Sequence, residues 1–484
     1  MVFFIFSTIL IGIFLLSIPL IFLFFDPILT IANYKLRIDN GTLLHKLLTE
    51  RLDGPKLYVY LFNVTNGEKF MAGEDKKIKL EEIGPFVYQE YRTVDDIEIN
   101  KEPGIMRYTP HPWTEFLPEE SYGNPEDVFL IMPNTPVLVC IYITHSTLRN
   151  SMHFYPFFIR QMFNLLSSGL KSKSLRRFSV QEYLWGLTDP LISMANSIVP
   201  GVIYFNSTGL IERLYDLDSE YRLELGTTSA DRFQVKSVKK IQTFDEPTYE
   251  GAVFPPLMTP DMPINMYRHS ICKTFKMKFN GTRQMDYGSD AYVYKLHDTT
   301  LNEHKLCDSK GWCPDGFLDL APCFFGFPFA ISKGHWLDSD PKLFEKVEGL
   351  KPNRTIHDTE LILDPKLGVA LTSTMSVQLS LALGDLSFKA ETKRFSDMFL
   401  PTCHTIIKHP KLHEETKQSL RLIYIYSPYI LLTSQIVCCS LGLIILAYVF
   451  RNIYLQRKIK RRQTMYFNFI QKKLQGEPHL PILL

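Results

Sequence analysis

Charge is missing from two long stretches of this 484-residue sequence, and the organisation of the chain follows from them. No Asp, Glu, Lys or Arg occurs between Val2 and Phe25, or between Leu422 and Phe450. About 20 apolar residues cover the hydrocarbon core of a bilayer, and buried core helices seldom run so long without a charge. Residues 1–25 are therefore expected to be an N-terminal transmembrane anchor and residues 422–450 a C-terminal transmembrane helix. The first stretch has no basic residue before it and no small-residue cleavage site, which favours a retained anchor over a signal peptide. Pro19 is tolerable within a membrane helix, whose neighbours satisfy the freed carbonyl.

Catalytic signatures are missing too. The chain contains no Gly-x-Ser-x-Gly elbow and no glycine-rich phosphate loop. His413-Glu414-Glu415 looks like the opening of a zinc-protease helix, but the second histidine is absent. Cys307, Cys313 and Cys323 lack the paired two-residue gaps of structural zinc sites. The sequence thus points to a protein that is not an enzyme and that needs no metal or cofactor. A charge excess is missing as well: the net formal charge is +2, so no nucleic-acid partner is expected.

The basic residues that are present gather behind the second apolar stretch. Arg451, Arg457, Lys458, Lys460, Arg461 and Arg462 follow it, the usual mark of a cytoplasmic end. Residues 451–484 read as a basic cytoplasmic tail lying on anionic inner-leaflet lipid. Residues 26–421 then form a lumenal or extracellular domain, with both termini cytoplasmic. All five Asn-x-Ser/Thr acceptors, at Asn40, Asn63, Asn206, Asn280 and Asn353, fall within that domain. So do six cysteines: Cys140, Cys272, Cys307, Cys313, Cys323 and Cys403. Cys438 and Cys439 lie inside the second span. An even set in an oxidising compartment suggests disulfides, whose connectivity spacing alone leaves open.

The domain reads mainly as β. Gly41–Leu52 has a helical stripe of Leu43, Leu44, Leu47 and Leu48, ended by Gly54-Pro55. Lys56–Val64 (KLYVYLFNV) is apolar on both faces, as in a strand buried on both sides. At Gly84-Pro85 a turn into another strand is expected. In Thr374–Leu383, Met375, Val377, Leu379, Leu381 and Leu383 alternate with Ser376, Gln378, Ser380 and Ala382. Such alternation places one face on a core or cavity and the other towards water. Residues 146–198 instead carry few Gly or Pro and a helical apolar period, with Phe157, Phe158, Met162, Leu165 and Leu166 able to share a face.

Several ordered motifs resemble those of the class B scavenger receptors along the whole chain. They are VYLFNVTNGEKF at 59–70, EEIGPFVYQEYR at 81–92, EYLWGLTDPL at 182–191, VFPPL at 253–257, SICKTF at 270–275 and GLKPNRTIHDTELILDPKLGVAL at 349–371. The resemblance implies an α+β membrane protein. Its domain would be an antiparallel β-barrel with a helical apex at about 146–198 and an apolar tunnel, held by two terminal transmembrane helices. It also implies the disulfides Cys272–Cys323 and Cys307–Cys313. A third family bridge is absent: Thr243 or Phe244 stands where one cysteine would be, and its partner beside Cys307 is missing too. Cys140 and Cys403 are extra, and either pair or lie free.

The run Lys171, Lys173, Arg176, Arg177 resembles the family's basic apex, where anionic lipid headgroups or lipoproteins are engaged. Carboxylate or phosphate would meet these cations while acyl chains entered a mouth lined by Phe154, Phe157, Phe158 and Phe163. The bland alternative is a solvated helix face over ordinary core phenylalanines. His145 and His153 are either endosomal pH sensors or ordinary surface or core histidines. Two functions stand. One is a plasma-membrane receptor passing fatty acids, phospholipids, sterols or lipoprotein lipid through the tunnel. The other is a lysosomal or endosomal trafficking receptor for a protein cargo, to which the tail end Glu477–Leu484, similar to an acidic di-leucine signal, contributes.

Overall fold

The computed structural model describes residues 2–50, 52–139, 141–142, 173–187, 190, 209–215, 222–238, 244–268, 271–302, 306–324, 327–387, 389–410 and 412–474. The chain divides into two compact units. One holds the chain up to Tyr34, Asp286–Gly288 and the chain from Glu414 onward; the other holds Lys35–Met285 and Ser289–His413.

The first unit is built on the two uncharged stretches. Both form helices long and apolar enough to cross a membrane, Val2–Phe24 and Ser427–Leu474. The pair touches where side chains vanish. A Cβ on Gly12 would stand 2.9 Å from the Leu446 side chain, and one on Gly442 would stand 3.1 Å from the Gly12 carbonyl. Close backbone approach at small residues is how helices pack in lipid, where no hydrophobic effect drives them together. The second helix has 48 residues, so it extends ~72 Å at 1.5 Å per residue, against a bilayer core of ~30 Å. Its basic portion, beginning at Arg451, therefore continues as helix beyond the apolar span.

The second unit is β-rich. Its strands among the described residues are β1 (Leu52–Val64), β2 (Ile78–Asn100), β3 (Ile105–Phe116), β4 (Phe129–Pro133), β5 (Leu175–Ser179), β6 (Leu223–Gly226), β7 (Val235–Val238), β8 (Thr248–Tyr249), β9 (Ile264–Arg268), β10 (Lys273–Gln284), β11 (Asp290–Leu296), β12 (Leu318–Asp319), β13 (Phe329–Ser332), β14 (Val347–Glu348), β15 (Glu360–Asp364), β16 (Val369–Leu383) and β17 (Met398–Lys408). One sheet follows the order β7-β6-β3-β2-β1-β17-β16-β15-β11-β10-β9-β8, with β12, β13 and β14 attached off that path. Its two ends meet at the bridge between Gln234 and Tyr249, so the sheet nearly closes on itself. It is antiparallel except for the short pairs β8–β9 and β2–β14. β4 and β5 form a separate two-stranded sheet.

Three local expectations need correction. Gly84-Pro85 makes no turn; both residues lie inside the continuous strand β2. The pairing with β1 slips beside them, between Val59 and Leu61, and such a bulge accommodates a proline that has no N–H to give. Gly84 has φ +147, and a Cβ there would stand 2.8 Å from the Val59 carbonyl. Likewise β1 starts at Leu52 and runs through Gly54-Pro55 by a second register shift, leaving a shorter helix, Leu43–Thr49, capped by the Thr42 hydroxyl. Third, residues 175–179 are strand rather than helix, because their backbone pairs with β4 while Phe178 is buried.

Candidate functional site

Of the expected ligand-binding residues, Lys173, Arg176 and Arg177 are described and exposed. Lys171, Phe154, Phe157, Phe158 and Phe163 lie outside the described residues, as do His145, His153, Asn206, Cys140 and Glu477–Leu484. Arg176 and Arg177 sit on β5. The Arg176 guanidinium lies 3.3 Å from Glu182 and 4.7 Å from the Phe178 ring centroid, and that of Arg177 lies 4.8 Å from the Phe129 centroid. Phe129 and Ile131 on β4 are exposed as well. Cations thus stand beside bare apolar side chains, a surface suited to an anionic amphiphile.

The cysteines are placed as follows. Cys272–Cys323 and Cys307–Cys313 are bonded, with Cα separations of 5.9 and 4.1 Å. Phe244 packs edge-on against Tyr267 at 5.3 Å, so an aromatic contact stands at that side of the missing bridge. Cys403 is free and buried, and burial pushes its thiol up to about 12, which leaves it unreactive. Among the glycan acceptors, Asn40, Asn280 and Asn353 are exposed and Asn63 is half-buried, its carbonyl accepting from the Ile131 amide.

A second polar constellation escaped the sequence reading. Val377 and Leu379 of β16 are half-buried, whereas Ser376, Gln378 and Ser380 are fully buried, which reverses part of the expected assignment of faces. The reason lies above that polar face. The turn Gly334–Trp336 packs there: the His335 amide donates to Gln378 Oε1 at 2.7 Å, and the Trp336 indole to Ser380 Oγ at 3.4 Å. A Cβ on Gly334 would fall 2.5 Å from His404 Nε2 and 2.6 Å from Ser376 Oγ, so only glycine lets the turn sit so low. His335, Trp336 and Asp338 all have positive φ, a cost that the surrounding hydrogen bonds must outweigh.

Glu82 on β2 joins the pieces. Its Oε1 lies 2.9 Å from His335 Nε2 and 2.9 Å from His404 Nδ1. His404 Nε2 is 2.9 Å from Ser376 Oγ, and its ring stacks on Tyr60 directly across the β1–β17 ladder. The Lys351 amide donates to His335 Nδ1 at 2.9 Å and the Asn353 amide to His357 Nδ1 at 3.0 Å. Those acceptor roles fix the tautomers: His335 and His357 carry their proton on Nε2, and His404 gives its Nδ1–H to Glu82. Burial pushes the Glu82 carboxyl up, but the bonds from His335 and His404 outweigh it and hold the group at about 2. Burial, with repulsion from the other two imidazoles, lowers His357 to about 4. Burial also lowers His404, despite its bond to Glu82.

Three imidazoles with nitrogens within 4.8 Å of one another suggest a metal centre, yet the geometry opposes one. The His335 and His357 rings are stacked at 4.3 Å with only 5° between their planes. A metal must lie in the plane of each ring it binds, and one ion cannot lie in two separated parallel planes. Their Nδ1 atoms are, moreover, acceptors for backbone N–H groups, so the Nε2 atoms present protons rather than lone pairs. Glu82 and His357 both lie within motifs quoted above, but 322 residues separate Glu82 from His404, and no local pattern joins them. The one available hint was a histidine alone in the apolar run of β17.

The CD36 family model matches residues 8–453 of this chain. Scavenger receptor class B member 1 of Bos taurus is 26% identical over 431 residues, covering 85% of this chain and 81% of that protein. Lysosome membrane protein 2 is 24% identical over 399 residues in Mus musculus and over 398 in Homo sapiens, in each case covering 77% of this chain and 79% of the relative. The chain belongs to the CD36 family.

Proposed function

We propose that this CD36-family chain is a membrane receptor that binds lipid or lipoprotein ligands at a basic apex and passes lipid to the bilayer through an internal tunnel. The reading rests chiefly on the family match, which takes in almost the whole chain, with relatives named scavenger receptors. Two terminal apolar helices and a nearly closed sheet agree with that reading. Anionic headgroups meet Lys171, Lys173, Arg176 and Arg177, and acyl chains follow the phenylalanines at 154, 157, 158 and 163. Transfer then runs down a gradient of apolar affinity without covalent chemistry. Both termini are cytoplasmic, with the basic helix after Phe450 against anionic inner-leaflet lipid.

Replacing Lys171, Lys173, Arg176 and Arg177 with Glu tests the entrance. Binding of anionic phospholipid particles at the cell surface should fall sharply, and wild-type binding should weaken with salt, since exposed charges are screened within ~10 Å at 0.1 M. A variant delivered to the surface that binds like wild type removes the basic apex from the mechanism. A second reading, a trafficking receptor for a protein cargo, is favoured by relatives named Lysosome membrane protein 2 and by the tail segment Glu477–Leu484. Steady-state residence in lysosomes, lost on truncating that segment, would support it.

A further inference from the structure

We propose that His335 and His357 form an acid-released latch on the surface segment Gly349–Asn353. This segment follows β14 and leads into the helix Arg354–His357. Gly349, Lys351, Pro352 and Asn353 are exposed, and only Leu350 is buried. Pro352 has no N–H, so the amide donors between 351 and 353 are those of Lys351 and Asn353. Both end on imidazole nitrogens, His335 Nδ1 and His357 Nδ1.

A neutral imidazole accepts through one nitrogen, whereas an imidazolium has two donors and no acceptor. Adding a proton to Nδ1 of either ring therefore places N–H against N–H and breaks that tether. A hydroxyl acceptor would rotate and keep its bond; a backbone amide cannot turn round. An amide held against another N–H is repelled and has no acceptor, so the segment must leave the rings and find water. It covers one side of a cleft of 830 Å³ whose lining includes Leu80, Glu82, His335, Ile356 and His357.

The charged surroundings set the balance. On β2, Glu82 accepts from the far side of His335, and Glu81 lines the same cleft. On β17, His404 lies 5.2 and 5.1 Å from the His335 and His357 ring centroids and opposes a positive charge on His357, while Tyr60 of β1 stacks on His404. Beside His357, Arg354 pairs with Asp338, and Asp358 is held by Lys333 and Lys295; Lys351 lies on the latch itself. His357 gains least from this setting: burial and its two neighbours lower it to about 4, and Glu82 only partly offsets them. The latched form accordingly refuses a proton that the released ring accepts near its ordinary value of about 6.5. Below that value each pH unit favours release by at most about tenfold through His357, reaching about 150-fold at pH 4. The segment is closed at neutral pH and opens in an acidified compartment.

Hydrogen exchange on the full-length protein in detergent micelles, at pH 7.4 and 5.0 and corrected for intrinsic rates, tests the latch. The Lys351 and Asn353 amides should lose protection by about 30-fold at pH 5.0 while the β10–β11 hairpin keeps its own. His357→Asn places a side-chain oxygen where Nδ1 sits and cannot take a proton, so its Asn353 amide should stay protected. Unchanged wild-type protection down to pH 4.5 overturns the proposal without any variant. So does an equal loss in His357→Asn. Neither result bears on lipid binding at the apex.

Discussion

At the scale of single residues, the Glu82 cluster makes stability depend on acid in a defined direction. Folded His357 is lowered to about 4 from an ordinary 6.5. Between those values the unfolded chain binds a proton that the folded one does not, so stability falls as pH drops from about 6.5 to about 4. The slope from this one group is roughly 1.4 kcal/mol per pH unit. Glu82, held at about 2, contributes stability above its ordinary value of 4.5 that is lost between 4.5 and about 2. Melting of the detergent-solubilised protein should therefore shift down between pH 7.5 and 5.5, and His357→Asn should shift less. Equal shifts would remove His357 as the cause. Gly334→Ala should destabilise by ~1–3 kcal/mol at any pH, because its Cβ would enter the buried contact between His404 and Ser376. Chelators should leave both melting curves unchanged, since parallel His335 and His357 rings cannot share a metal.

Elements were legible where burial follows period. Both faces of β1 read as buried. Leu57, Val59 and Leu61 are, because a strand interior to a sheet packs its alternate side chains together, whereas on the other face Phe62 is buried and Tyr58 and Tyr60 are half-buried. β16 misled for a physical reason. Its Ser376, Gln378 and Ser380 face a turn contributed by residues 334–336, and a polar face covered by hydrogen-bonding backbone looks in sequence like one facing water. The Glu82 site was illegible for the same cause, since it is assembled from β2, β16, β17, a turn and a short helix. At this scale Cys272→Ser and Cys323→Ser should act as one unit. Each should cost ~2–5 kcal/mol, with the double variant little worse than either single one. Additive losses would mean that the two cysteines do not act through one bond. The contact between the spanning helices should be equally local. Gly442→Leu would drive a side chain into Leu16 and the Gly12 backbone, and should abolish crosslinking between cysteines placed in the two helices while surface delivery persists. Retained crosslinking would place the helix contact elsewhere.

For the whole molecule, two long apolar helices, a nearly closed sheet and a family match over residues 8–453 fit a membrane scavenger receptor with a lipid-binding role. Its proposed orientation is checked simply: glycosidase should raise the gel mobility of the membrane-expressed protein, and protease on intact cells should spare an epitope at the C-terminus. Cleavage of that epitope would invert the topology. Lipid is proposed to pass without covalent chemistry and without the particle that carries it. The most direct measurement is uptake from lipoprotein-like particles labelled separately in lipid and in protein, by cells expressing the chain and cells lacking it. Lipid label should enter well above background while the protein label stays outside, and the Glu variant of Lys171, Lys173, Arg176 and Arg177 should abolish the difference. Lipid entering no faster than in cells without the chain, or both labels entering together, would contradict that passage of lipid.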